Sequence, residues 1–240
     1  MQAKSTPRSV VVLTGAGISA ESGLKTFRDN NGLWENHPVE EVATPQAFAA
    51  NPTLVHRFYN LRRAQLVNEA KPNTAHKALA DFEMSFRGDY TLITQNVDDL
   101  HERAGSKNVL HMHGELLKIR CAESGEIYSH QQDLDQNMSC PCCNKSGQLR
   151  PHIVWFGEIP LYMNDIESVL AQCDLFVSIG TSGNVYPAAG FQQLAKHYGA
   201  HTVELNLEPS MAASHFHEQH YGLASELVPE FFQTVLGNPL

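Results

Sequence analysis

The stretch SVVVLTGAGISA, from Ser9 to Ala20, constrains this chain more than any other. An unbroken apolar run, Val10 to Leu13, ends at once in G-x-G-x-x-A, with Gly15, Gly17 and Ala20 at the fixed positions. A continuous apolar run suits a strand covered on both faces, hence a parallel sheet between layers of helix. Glycines directly after such a strand allow a tight turn and close approach to a pyrophosphate seated at a helix N-terminus. The same spacing also occurs as a plain turn. A dehydrogenase would continue with a second strand and an acidic residue ~20 positions on, to hold the ribose. Here Glu21–Glu40, ESGLKTFRDNNGLWENHPVE, is polar, rich in turn residues and expected to carry no strand. A dinucleotide fits this beginning; ordinary hydride transfer does not.

Further apolar runs repeat the pattern: YTLITQN (90–96), DLFVSIGTS (174–182) and HTVELNLEP (201–209). Between them, 52–70, 73–86 and 188–199 read as helices, the last stopped by Gly199. The expected fold class is therefore α/β: a Rossmann-like parallel sheet with helices on both faces. One domain is expected over 1–240, its Rossmann-like part spanning 1–113 and 156–240. The segment 114–155 is polar, holds a cysteine cluster and lacks long helical periodicity, so it reads as a small inserted module. A helical segment at 35–75 is expected to pack with it. TQN, GTS and NLE each close a predicted parallel strand. Gln95, Asn96, Thr181, Ser182, Asn206 and Glu208 should then converge on one crevice at the carboxyl edge of the sheet, where ligands bind.

Composition narrows the partners. The formal net charge is −9 over 240 residues, and no Lys/Arg run reaches four. Nucleic acid and anionic membranes are therefore not expected partners, while basic peptides are tolerated. No apolar run approaches the ~18 residues needed to span a bilayer, and MQAKSTPRS lacks the apolar core of a secretory signal. A cytoplasmic protein is expected. Four of the five cysteines lie between Cys121 and Cys143, which in a reducing compartment reads as a metal site before disulfides.

GAGISAESGLKTFRD, TQNVDDLHERAG, LHMHGE and GTSGNVYPAAG, in that order, resemble the signature blocks of the sirtuins, NAD-dependent protein-lysine deacylases. The similarity runs from about residue 9 to 235. It implies that NAD is a co-substrate, and that the products are nicotinamide, acyl-ADP-ribose and free lysine. FRDNNGLW then resembles the family's mobile cofactor loop, with Phe27, Arg28 and Trp34 on NAD and Arg28 reaching the pyrophosphate or a ribose. Asn96 and Asp98 resemble the pair that binds the nicotinamide carboxamide, which needs both a donor and an acceptor. Ala16 and Ile18 would line that pocket, beside Gly15, Gly17, Ala20 and Val97. Gly180, Thr181 and Ser182 would face the phosphates. Asn206, Leu207 and Glu208 would take the adenosine ribose, with Ala224 nearby. Of the two histidines in LHMHGE the motif selects His113 as general base, with Asn96 as its catalytic companion; His111 is expected to be structural. An imidazole near neutral pKa can accept a proton from a ribose hydroxyl.

The family's fuller metal pattern is C-x2-C twice. Here Ser124 stands where the first pair would close, so Cys121, Cys140 and Cys143 are expected on one structural Zn2+, with Cys142, His130 or a water as the fourth ligand. Cys173 is expected to be inert packing. Tyr59 and Arg62, at i and i+3 on one helix face, resemble the acyl-pocket pair of the desuccinylase branch, where a guanidinium fork reads a distal carboxylate. VWFGE resembles the strand that pairs with the substrate peptide, placing Val154, Phe156 and Gly157 beside the acyl-lysine channel. The expected partners are acylated lysines of proteins, and the expected state is a monomer. A mono-ADP-ribosyltransferase or a non-enzymatic NAD-responsive module on the same scaffold stays open as an alternative.

Overall fold

Val10 to Leu13 lie in the middle of a six-stranded parallel sheet. A computed structural model describes residues 7–24, 33–34 and 37–237. In chain order come β1 (Ser9–Thr14), β2 (Leu33–Trp34), β3 (His37–Pro38), α1 (Val39–Val42), α2 (Pro45–Ala50), α3 (Pro52–Asn68) and α4 (Thr74–Ser85). Then follow β4 (Asp89–Thr94), α5 (Leu100–Ala104), β5 (Val109–His111), β6 (Gly114–Cys121), β7 (Ile127–Ser129) and β8 (Leu149–Ile153). The chain closes with α6 (Met163–Leu170), β9 (Leu175–Ile179), α7 (Phe191–His197), β10 (His201–Asn206), β11 (Glu218–Tyr221) and α8 (Ala224–Gly237).

The sheet order is β11-β10-β9-β1-β4-β5, all pairs parallel. Alternate residues of β1 feed two cores. Val10 and Val12 pack with Leu79 and Phe82 of α4 and Val228 and Phe232 of α8. Val11 and Leu13 pack with Ile166 and Leu170 of α6 and Phe191 and Ala195 of α7. Both faces are covered, which is why the run shows no polar alternation. Burying each such side chain contributes roughly 1.5–3 kcal/mol.

Two features depart from expectation. The stretch expected to carry no strand contains a short antiparallel pair, Leu33–Trp34 with His37–Pro38. Two sheet strands also gave no apolar signal: β5 has three residues, and β11, EQHY, is a polar edge strand.

The inserted segment forms a second, antiparallel sheet, β7-β6-β8. Helices α1 to α3 pack against it. Val42, Val55, Phe58, Tyr59 and Leu66 share a core with Leu116, Ile153 and Trp155. Arg63, almost wholly buried, fastens α3 to this sheet: its Nε donates to the Leu116 carbonyl (3.0 Å) and its Nη1 to the Gln132 carbonyl (3.2 Å) and Asn60 Oδ1 (2.8 Å). Asn51 caps α3 ahead of Pro52, and Asn73 caps α4 through a capping box. These caps fix where both helices begin, and so where Arg62 and His76 sit.

Candidate functional site

β1 lies between β9 and β4, so the strand order reverses at its carboxyl end. In an open α/β sheet that switch point is where ligands bind. The turns after β1 and β9 touch there. Gly15 N donates to the Ile179 carbonyl (3.0 Å) and Gly17 N to the Gly180 carbonyl (2.9 Å). A Cβ on Gly17 would lie 2.7 Å from Gly180 Cα, and one on Gly180, at φ +61°, would lie 2.5 Å from Ile18 N. The G-x-G spacing is therefore already required by contact between the two turns.

Beneath this contact a buried polar chain leads to Asp98. Asn96 Nδ2 donates to the Gly15 carbonyl (3.2 Å) and to Ser19 Oγ (3.2 Å), and Ser19 Oγ donates to Asp98 Oδ2 (3.1 Å). Leu100 N donates to the other oxygen, Oδ1 (3.1 Å). Burial pushes the Asp98 carboxyl up to about 6, against the pull of those bonds. Below Ser19 lie two imidazoles that burial keeps neutral: His76, brought down to about 4, and His101, well below its ordinary value. Ser19 was not singled out from sequence; its one signal is its place inside the turn motif.

His113 follows β5. Its Nδ1 lies 3.1 Å from the Gln95 carbonyl, which can only accept, so Nδ1 carries the proton and Nε2 holds the basic lone pair. Burial lowers its pKa, which keeps the base form present at neutral pH.

These groups open into one cleft of about 680 Å³. Its walls include Gly15, Ala16, Gly17 and Ala20 from the first turn, and Gln95, Asn96, Val97 and Asp98 after β4. They include Gly180, Thr181 and Ser182 after β9, and Asn206, Leu207 and Glu208 after β10, with Ala224 opening α8. His113, Arg62, Val154, Phe156 and Gly157 line it too. Two expected lining residues do not. Ile18 is wholly buried in the core beneath the sheet, because the turn directs it inward. Tyr59 is wholly buried under the cleft, and its hydroxyl accepts the Trp155 indole N–H at 2.9 Å. Phe27 and Arg28 lie outside the described residues, and Trp34 is placed only as part of β2. The Asn206 side chain is committed within the protein: Nδ2 donates to the Thr181 carbonyl (2.7 Å) and Oδ1 accepts from Leu207 N (3.0 Å). It fixes the two loops against each other.

Elsewhere in the cleft lining, charge is gathered around Glu158. Arg150 makes a two-pronged contact with its carboxylate (2.7 and 3.0 Å), Arg120 adds a third bond (3.1 Å) and Trp155 N a fourth (2.8 Å). The Arg150 guanidinium lies 3.4 Å over the Trp155 ring. Tyr59 feels Arg62, Arg150 and Glu158, and burial drives its pKa upward, so it is a neutral phenol. Arg62, half-buried, lies close enough to act on the same phenol.

A glycine-turn contact, a buried Asn–Ser–Asp chain and an imidazole with Nε2 as base thus line one cleft. A family model described as Sir2 family matches residues 15–187. The chain belongs to the Sir2 family. It is 62% identical to a protein of Pasteurella multocida (strain Pm70) named NAD-dependent protein deacylase, over 95% of this chain and 97% of that one. It is 58% identical to a Leishmania major protein named NAD-dependent protein deacylase SIR2rp3, over 97% and 98%. A solved Sir2 homolog–NAD complex superposes with a TM-score of 0.87 at 38% identity, over 95% and 90% of the two chains. A Sir2 protein bound to acetylated peptide gives 0.81 at 28%, over 95% and 93%.

In this Sir2 chain the metal site has four thiols. The sulfurs of Cys121, Cys140, Cys142 and Cys143 lie within 4.8 Å of one another. A tetrahedral Zn2+ with bonds of about 2.3 Å holds its sulfurs about 3.8 Å apart, inside that limit, so the cluster fits structural zinc. Cys142, one of the three candidates for the fourth ligand, supplies the fourth sulfur. His130 does not belong to the cluster; its Nε2 lies 3.3 Å from the Asp133 carbonyl. Cys121→Ala is expected to release the metal and lower Tm by about 5 °C or more, since structural zinc contributes folding energy directly. Cys173→Ala, a buried cysteine outside the cluster, should leave metal content unchanged. Equal metal content by elemental mass spectrometry in wild type and Cys121→Ala would remove Cys121 from the ligand set.

Proposed function

We propose that this chain is an NAD-dependent protein-lysine deacylase that removes acetyl and succinyl groups. The observation that carries the reading is one cleft lined by the Asn96–Ser19–Asp98 chain, by His113 and by Arg62. NAD supplies a ribosyl carbon whose leaving group is nicotinamide. Asn96 and Asp98 are the pair for the carboxamide: both Asn96 Nδ2 protons go to Gly15 and Ser19, so Asn96 Oδ1 and the Asp98 carboxylate are the groups that accept its N–H donors. The acyl-lysine amide oxygen would replace nicotinamide at the ribosyl carbon. His113 Nε2 would take a proton from a ribose hydroxyl so that its oxygen could attack the acyl carbon, and water would complete release of free lysine and acyl-ADP-ribose. Val154, Phe156 and Gly157 continue from β8; the Val154 and Phe156 amides are held by the His113 and Ala43 carbonyls, so their carbonyls are the groups offered to an extended peptide. Arg62, which lines the same cleft, would offset the cost of burying a distal carboxylate.

The reading takes the enzyme as a cytoplasmic monomer acting on acylated proteins, in keeping with a net charge of −9. Its test is nicotinamide release from NAD with acetylated, succinylated and unmodified forms of one peptide. Release is expected with the two acylated forms only. Release indifferent to acylation would overturn the reading.

A further inference from the structure

His111 ends β5 two residues before His113, and the sequence alone gives it only a packing role. The two rings hold consecutive carbonyls. His113 Nδ1 donates to Gln95 O, and His111 Nδ1 lies 3.3 Å from Asn96 O. On its other side, His111 Nε2 lies 2.6 Å from Glu102 Oε1 of α5. A carbonyl and a carboxylate only accept, so satisfying both requires a proton on each nitrogen, and the ring is an imidazolium. Its side chain is 5% exposed.

The surroundings agree. Burial pulls the His111 pKa down, but the Glu102 hydrogen bond and charge, with Glu115 of β6, more than reverse this and leave it raised. Asp98, in the loop before α5, is drawn down in part by the His111 charge. His101 on α5 is neutral, and Lys118 of β6 acts on Glu102. The residue so gripped is Asn96, whose side chain reaches Gly15 and Ser19. A shift of its backbone would carry that amide away from the Asp98 pocket.

We propose that His111 is a positioning residue for the cofactor half of the reaction: held by Glu102, it clamps the Asn96 backbone and keeps the Asn96 amide aimed into the nicotinamide pocket. The inference rests on the role given to Asn96 above. The clamp is complete while His111 holds its second proton. Because the folded pKa is raised, the clamp is present below the ordinary imidazole value and is lost as pH rises through the folded one.

The test is steady-state kinetics of wild type, His111→Gln, Glu102→Gln and Asn96→Ala from neutral to about pH 9.5. His111→Gln should raise KM for NAD about tenfold, the scale of one charge-assisted hydrogen bond, and change kcat by less than about threefold. In wild type KM for NAD should climb on the alkaline side. That climb should vanish in His111→Gln and move to lower pH in Glu102→Gln, which removes the partner that raises the pKa. Should His111→Gln fail to fold by circular dichroism, the displaced limb in Glu102→Gln decides. An unchanged KM in His111→Gln, or an alkaline limb unmoved in both variants, overturns the clamp alone. An unchanged KM for NAD in Asn96→Ala overturns the reading of Asn96 and the proposal with it.

Discussion

His113→Ala is expected to lower the deacylation rate by about 10²- to 10⁴-fold, the usual cost of removing a general base. NAD binding should persist, because the base acts after the cofactor is seated and the Asn96–Ser19–Asp98 chain does not pass through His113. Burial lowers the His113 pKa, so the wild-type base should stay active below the ordinary imidazole value. Asp98, pushed up to about 6, should add an acid limb near that pH to kcat/KM for NAD. Asp98→Asn should remove that limb. Near-wild-type turnover by His113→Ala, measured alongside NAD binding by calorimetry, would take His113 out of the mechanism.

Arg62→Met is expected to cut kcat/KM for succinyl-lysine about 30- to 1000-fold, equivalent to about 2–4 kcal/mol of transition-state binding. Acetyl-lysine has no distal carboxylate, so its kcat/KM should change far less. Tyr59→Phe is a different experiment from the one the sequence suggests. The Tyr59 hydroxyl accepts from Trp155 under the cleft, so its removal should loosen the Trp155 platform and bias selectivity more weakly. The pair of values to compare is kcat/KM for the acetyl and succinyl forms of one peptide. Equal losses in Arg62→Met would mean that Arg62 supports the helix and does not read the acyl group.

The parts legible in the sequence were those written in long apolar runs and contiguous motifs. β1, β4, β9 and β10 could be read because both faces are buried, and the residues closing them could then be placed along one edge. β5 and β11 could not, because three residues or a polar edge carry no periodicity. Ile18 shows the limit of a motif: its place in the glycine turn suggested the pocket, but the turn sends its side chain into the core. Asn206 stands at the right edge, yet its amide is taken up by Thr181 and Leu207, which only coordinates reveal. C-x2-C spacing selects Cys140 and Cys143 and leaves Cys142 as one of three candidates for the fourth ligand, while the fold of the small sheet brings all four sulfurs together. His111 looked structural because spacing says nothing of two acceptors meeting one ring.

The most direct test of the central claim weighs the products of one reaction. The protein, NAD and a succinylated or acetylated peptide are incubated and resolved by mass spectrometry. The account predicts free lysine peptide, nicotinamide and acyl-ADP-ribose in equal amounts, all lost in His113→Ala. ADP-ribose attached to the peptide or the protein, with the acyl group still on lysine, would contradict it.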